Sequence, residues 1–421
     1  MADYNPFNPN SVVTPSLFAG RVEQVKEICQ KLTQVKHGMP ANFLIFGERG
    51  IGKTALAKLV GYISRVNDKG FYSLNLLTSY YITEQGQSIS SVLQESVNKL
   101  TDQMDKTLVQ DMVGRLGKLF NNGKFQIGAF GSSVGVDLSS KATKSALDIT
   151  IKDQTVSILS NIIKSLNKKV DTSDDTQKDT QDGVLIIIDE LHNLEDIPSA
   201  ASILRNIITT LDVDGLGKIA FLLIGYEEDM KRFFSVDSSS RRTFDIKELG
   251  VMPIKDAKEV LTKGFIEVSV KWDEDALNRN IQVAGGYPHS IQILGHNLIE
   301  TDKDGLIDQN DWTQVIFDTA LDLQDKEFST MYTFKKKQNE KDKILATLAG
   351  ADNPLTKTEL KKLNLSKNVY RCLQELKAAG AIKEDDEEKI HLHSQLFRTA
   401  IRFDVAYRRL VLKQTTDQAQ V

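Results

Sequence analysis

Apolar residues along this chain fall into helical, alternating and unbroken patterns, and their order predicts the architecture. Val22, Val25, Ile28 and Leu32 recur at helical spacing and predict a helix just after Gly20. Residues 42–46 form a short, mostly apolar run that ends at Gly47, the pattern of a buried strand. Leu56, Leu59, Val60 and Ile63 return to helical spacing. Residues 71–77 (FYSLNLL) predict a second strand, and Leu93, Val97, Leu100 and Met104 another helix. Residues 124–138 alternate around Gly131-Ser132-Ser133, which predicts a hairpin. It is either a partner-contact or oligomerisation element, or a flap over its own core. Ile158, Ile162, Ile163 and Leu166 predict a helix, and the polar stretch 168–182 a mobile loop. Unbroken apolar runs at 184–188 and 219–224 read as strands covered on both faces. After about residue 255 the pattern becomes helical. Strands separated by helices predict a parallel α/β sheet.

With 421 residues, the chain should hold two or three domains. Lys and Arg total 53 against 57 Asp and Glu, a net charge of −4, so any nucleic-acid contact must come from a local basic patch. Two distant cysteines, Cys29 and Cys372, exclude a disulfide framework or a Cys-rich zinc site and point to the cytoplasm. The first ten residues lack the pattern of a secretory signal, and no apolar run approaches the ~20 residues of a membrane helix, so no membrane partner is expected. Four of the eight prolines (Pro6, Pro9, Pro15, Pro40) lie in the first forty residues, which predicts an irregular opening arm.

Residues 47–54 read Gly47-Glu48-Arg49-Gly50-Ile51-Gly52-Lys53-Thr54, matching G-x-x-x-x-G-K-[ST] at every position. Glycines let backbone N–H groups close around a phosphate, and the helix starting near Lys53, with Thr54 and Ala55 in its first turn, aims its positive end at the anion. Lys53 would reach the β- and γ-phosphates of ATP, and the Thr54 hydroxyl would bind Mg²⁺. Asp189-Glu190 follows the apolar run 184–188, which would place Asp189 at the carboxyl edge of the sheet to hold Mg²⁺ through water. Glu190 would orient and polarise the attacking water.

With these motifs in hand, the chain resembles the P-loop AAA+ and STAND ATPases, in particular the archaeal/bacterial group similar to origin-recognition initiator ATPases. Asn5-Pro6-Phe7 with Leu17-Phe18-Ala19-Gly20-Arg21 looks like the opening segment that lies over the adenine, and Gly285-Gly286-Tyr287-Pro288 is similar to the glycine-x-proline element whose proline packs near the base. The resemblance implies three modules. These are a P-loop ATPase core at 1–250 with an insertion at about 78–182, a helical lid at 251–330, and a winged-helix-like domain at 331–421. It adds Phe18, Arg21 and Pro288 to the nucleotide site. The chain departs from the pattern at Gly225-Tyr226, where many relatives carry a polar sensor, and at His289, where a sensor arginine is common. His289 either contacts phosphate or packs between helices. Arg241 or Arg242 either reaches a neighbouring subunit's γ-phosphate or belongs to a solvated basic turn.

Toward the C-terminus, helices at 341–348, 356–363 and 367–379 and strands at 381–383 and 389–393 resemble a winged helix-turn-helix. Eleven basic and five acidic residues between 335 and 377 give a local +6, and Lys367, Asn368, Tyr370 and Arg371 are placed to meet duplex DNA. Five acids at 384–388 would repel phosphates from the wing. Three readings follow. One is an ATP-hydrolysing conformational or assembly switch, acting as a homo-oligomer or with a partner protein. The others are an initiator-like duplex-DNA binder and a regulatory ATPase of an anti-phage defence system.

Overall fold

The computed structural model describes residues 4–11, 18–66, 72–104, 144–168, 181–236, 238–324, 328–329, 331 and 339–418. The expected hairpin at 124–138, Leu17 and Lys335–Lys337 lie outside these residues, as does most of the polar loop at 168–182. The chain forms two compact units. One comprises Val22–Gly47 and Lys53–Leu249, the other Met1–Arg21, Glu48–Gly52 and Gly250–Val421.

The first unit is built on a parallel five-stranded sheet: β1 (Ala41–Phe46), β2 (Leu76–Ile82), β3 (Gly183–Asp189), β4 (Ile219–Gly225) and β5 (Asp245–Glu248). The spatial order is β2-β3-β4-β1-β5, and every pairing is parallel. Both expected apolar runs, now β3 and β4, are buried along their whole length. One face of the sheet is covered by α3 (Ile89–Thr101), α4 (Lys144–Lys168) and α5 (Ile197–Val213), whose apolar residues share a core with Leu77, Ile186 and Phe221.

Two expectations for this unit shift. The second strand is not 71–77 but Leu76–Ile82, because Ser73 turns the chain with a φ of 46°. Its polar Thr78 is fully buried, with Oγ1 donating to the Leu76 carbonyl at 3.0 Å and lying 3.1 Å from Ser64 Oγ. The helix after the glycine-rich loop, α2 (Lys53–Ile63), buries Leu56, Ala57, Val60 and Gly61, a face rotated from the one expected. Gly61 lets it close on the sheet, since a Cβ there would lie 3.0 Å from Ile187 Cδ1. Val22, expected on the inner face of α1 (Val22–Leu32), is 63% exposed, and Cys29 is buried in that helix instead.

The second unit holds the helices α7 (Ile254–Glu267), α8 (Glu274–Ala284), α9 (Pro288–Thr301) and α10 (Gln309–Leu323); the short helix Glu227–Phe233 of the first unit is α6. Phe7 of the opening arm is buried in a slot formed by two glycines. A Cβ on Gly264 of α7 would lie 2.1 Å from the Phe7 ring, and one on Gly295 of α9 would lie 2.7 Å from it. Asn5 Nδ2 donates to the His296 carbonyl at 3.0 Å, which fixes the arm further. The same unit contains α11 (Glu340–Gly350), α12 (Lys357–Lys362), α13 (Val369–Ala378) and a three-stranded antiparallel sheet. With β6 and β7 the two-residue strands Lys271–Trp272 and Leu306–Ile307, this sheet consists of β8 (Leu355–Thr356), β9 (Ile382–Glu384) and β10 (Lys389–Leu392) in the order β8-β10-β9. That is a winged-helix-like arrangement. It is followed by α14 (Gln395–Gln418), a 24-residue helix that the sequence reading did not identify.

Candidate nucleotide site

In the sheet unit, the loop leaves β1 at Gly47 and re-enters at Lys53, the first residue of α2. Lys53 Nζ donates to the Gly47 carbonyl at 2.9 Å and sits 4.4 Å from the centre of the Tyr226 ring. Thr54 and Ala55 occupy the first turn of α2, where unpaired backbone N–H groups and the helix dipole favour an anion. Strand register brings the other motif to the same edge. Phe46 of β1 lies opposite Gly225 of β4, and Ile188 of β3 lies opposite Leu223 of β4. Asp189 and Glu190 therefore emerge one strand away from the loop.

Asp189 is buried, and both its carboxylate oxygens are engaged. Oδ2 accepts from the Tyr80 hydroxyl at 2.6 Å and Oδ1 from the Glu190 N–H at 2.8 Å. Burial and the neighbouring carboxylate push the Tyr80 phenol far above its ordinary pKa, so it remains a proton donor to Asp189. Glu190 adopts a left-handed backbone with φ 62°, a strained conformation for a residue with a side chain. Its Oε2 lies 3.1 Å from His192 Nδ1, and the His192 ring is 4.9 Å from the Tyr226 ring. Asp229 accepts the Tyr226 N–H at 2.7 Å, and burial raises the Asp229 carboxyl above its usual range.

The middle of the loop, Glu48–Gly52, is held within the other unit. Gly50 and Gly52 take φ of 75° and 93°, conformations that glycine adopts without strain. Arg21 is buried, with Nη2 donating to the Ile51 carbonyl at 3.1 Å and the Gly250 carbonyl at 2.5 Å; burial lowers its pKa to about 10. The Tyr287 hydroxyl donates to the Arg49 carbonyl. A Cβ on Gly50 would meet His289 Cβ at 3.1 Å, and one on Gly52 would meet Pro288 Cγ at 3.9 Å, so the glycine-x-proline element lies against the loop. Glu48 accepts the Gln395 N–H at 2.9 Å, at the start of α14. The Phe18 carbonyl accepts from Lys263 Nζ at 3.4 Å.

Arg241 and Arg242 are exposed in a short helical turn, and the Arg241 guanidinium is 5.5 Å from the Phe234 ring. Sequence reasoning missed Tyr80, His192 and the capping role of Glu48, all of which depend on contacts distant in the chain or on backbone turns. For a divalent cation, the hydroxyl of Thr54 and the carboxylate of Asp189 are hard oxygen donors of the kind that suits Mg²⁺. Among the described residues no group of three or more His, Cys, Asp or Glu side chains is placed to hold a metal ion. Water and phosphate oxygens would thus have to complete its shell, as Mg²⁺ prefers.

Comparison with solved structures extends over nearly the whole chain. The ORC2 protein of Aeropyrum pernix in its ADP form superposes with a TM-score of 0.50 at 14% identity, covering 95% of this chain and 97% of that one. Its ADPNP-ADP complexes also give a TM-score of 0.50, at 13% identity over 93% of this chain and 97% of that one. The chain shares the fold of these A. pernix ORC2 structures. An uncharacterized HTH-type transcriptional regulator of Methanocaldococcus jannaschii is 30% identical over 97 residues, 22% of this chain and 23% of that protein. The chain therefore matches less than a quarter of that curated relative's length. No protein-family model matches the chain. Among the described residues, no helix is long and apolar enough to cross a membrane.

Proposed function

We propose that this protein binds Mg-ATP at residues 47–54 and hydrolyses it slowly to ADP and phosphate as a conformational or assembly switch. The observation that carries this reading lies in the sheet unit, where Gly47 and Lys53 at the end of β1 share an edge with Asp189-Glu190 at the end of β3. The ADP and ADPNP forms of the A. pernix protein support a nucleotide as the ligand.

Lys53 exchanges the Gly47 carbonyl for β- and γ-phosphate oxygens, and the N–H groups of the loop and of the first turn of α2 take the remaining phosphate oxygens. Arg21 braces the loop through the Ile51 carbonyl, while Pro288 and His289 back its glycines. Thr54 and Asp189 would hold Mg²⁺, which when bound neutralises charge on the phosphate oxygens. Tyr80 fixes the orientation of the Asp189 carboxylate. Glu190 orients the attacking water and takes its proton. Arg241 or Arg242, both exposed, serves as the charge supplied across a subunit interface. The helices of 251–330 act as a lid and 331–421 as the output module. Both cysteines are buried and unbridged, which fits a reducing cytoplasm. Glu190→Gln tests the catalytic assignment: Mg-ATP binding should persist while phosphate release falls by ~100-fold or more. Unchanged turnover would remove Glu190 from its role.

A second reading, duplex-DNA binding, is favoured by the exposed Lys367, Tyr370 and Arg371 around the start of α13. Opposing it, Arg371 pairs with Glu375, and both Lys357 and Lys377 pair with Glu384. Duplex affinity that falls with salt and weakens in Lys367→Glu with Arg371→Glu would support this reading. No retention of duplex at low salt, with or without ATP, would discard it.

A further inference from the structure

We propose that Tyr226 is a positioning residue for Lys53, acting on the lysine through its ring face; this rests on the loop being an ATP site. The placement follows from strand register. Phe46 and Gly225 are opposite each other in neighbouring parallel strands, so the next residues, Gly47 and Tyr226, leave the sheet side by side. The Gly47 carbonyl and the Tyr226 ring then hold one ammonium, at 2.9 Å and at 4.4 Å from the ring centre. The ring is anchored by its own backbone, whose N–H donates to the buried Asp229 at 2.7 Å. Asp229 can approach because residue 225 is glycine; a Cβ there would lie 3.0 Å from Asp229 Cβ.

A ring face attracts a cation without consuming any of its N–H donors. The ammonium beside Tyr226 donates to the Gly47 carbonyl, and it can exchange that carbonyl for a phosphate oxygen without leaving the ring. A polar side chain at this strand end would bond phosphate itself; the tyrosine instead acts through the lysine. The ring also neighbours His192, at 4.9 Å, and His192 Nδ1 lies 3.1 Å from Glu190 Oε2. The same ring therefore links the phosphate-binding lysine to the residue that orients water.

The test uses the full chain with its lysines converted to ¹³C-dimethyl-lysine, which retain their charge. The Lys53 signal, assigned by its loss in Lys53→Arg, should be shifted upfield by the ring in the nucleotide-free protein. Tyr226→Phe should preserve the shift, and Tyr226→Leu and Tyr226→Gln should abolish it; either folded variant suffices. Calorimetry with Mg-ATP on the unmethylated proteins should show affinity falling about 5- to 30-fold in the Leu and Gln variants and changing less than about twofold in Phe. Turnover should show a raised KM with kcat nearly unchanged, because the ring holds the lysine in ground and transition states alike. A Lys53 signal indifferent to Tyr226→Leu, or a loss in Tyr226→Phe as deep as in Leu, overturns the proposal. Wild-type protein that shows the upfield signal when methylated but gives no heat with Mg-ATP when unmethylated overturns the ATP reading and leaves the lysine–ring contact standing.

Discussion

Replacing Phe7 separates two roles for the opening arm. A residue lying over adenine would matter chiefly when nucleotide is bound, whereas Phe7 is 3% exposed in a slot that exists only because residues 264 and 295 lack a Cβ. Its ring also meets Phe265 edge-on, with centres 5.8 Å apart. Truncating a buried phenylalanine to alanine costs about 3–5 kcal/mol in transfer and cavity energy. Here the loss falls on docking of the arm, which Phe7 anchors on α7 and α9 together with Tyr4, on Glu267, and Asn5, on the His296 carbonyl. A cost of ~3 kcal/mol lowers the docked-to-undocked ratio roughly 150-fold. Hydrogen exchange or limited proteolysis of the arm in nucleotide-free protein measures that ratio. Phe7→Ala should raise its opening by about two orders of magnitude without ATP, and Gly295→Ala should act in the same direction because its Cβ would meet the ring at 2.7 Å. Unchanged arm protection accompanied by weaker ATP binding would refute the packing role and return Phe7 to the base.

Two further predictions rest on single contacts. Glu48→Ala removes the carboxylate that accepts the Gln395 N–H, and exchange of that amide should quicken about three- to tenfold, while the Ser394 cap on Phe397 stays protected. Asp229 is a buried carboxyl whose folded pKa is raised, so its contribution to stability is fully present below the ordinary carboxyl range and is lost as pH rises through the folded value. Asp229→Asn does not ionise, so its denaturation midpoint relative to wild type should rise as the pH climbs above the ordinary carboxyl range; a difference independent of pH would contradict the assignment.

The parts of this fold visible in sequence are those whose burial is uniform. β3 and β4 are covered on both faces, so their apolar runs stood out, and the loop motif between β1 and α2 could be read at every position. β2 was displaced because its buried middle is polar and is satisfied by Ser64, a partner on another element. β5 escaped notice because Asp-Ile-Lys-Glu at a sheet edge is only half-buried and carries no apolar run. α14 has buried Leu396, Phe397, Ala400, Ile401 and Phe403, a helical pattern that was available but not read. In the candidate site, Lys53 and Asp189 were singled out by local spacing. The Tyr226 contact depends on the register of β1 with β4, and the Tyr80 contact on that of β2 with β3, neither of which is encoded in any one segment.

The central claim is that residues 47–54 hold the phosphates of Mg-ATP, and isothermal calorimetry on wild type and Lys53→Ala measures it most directly. Saturable heat with one nucleotide per chain in wild type, reduced at least tenfold in affinity by Lys53→Ala, is the expected result. No heat in wild type, or equal affinity in both proteins, would contradict it.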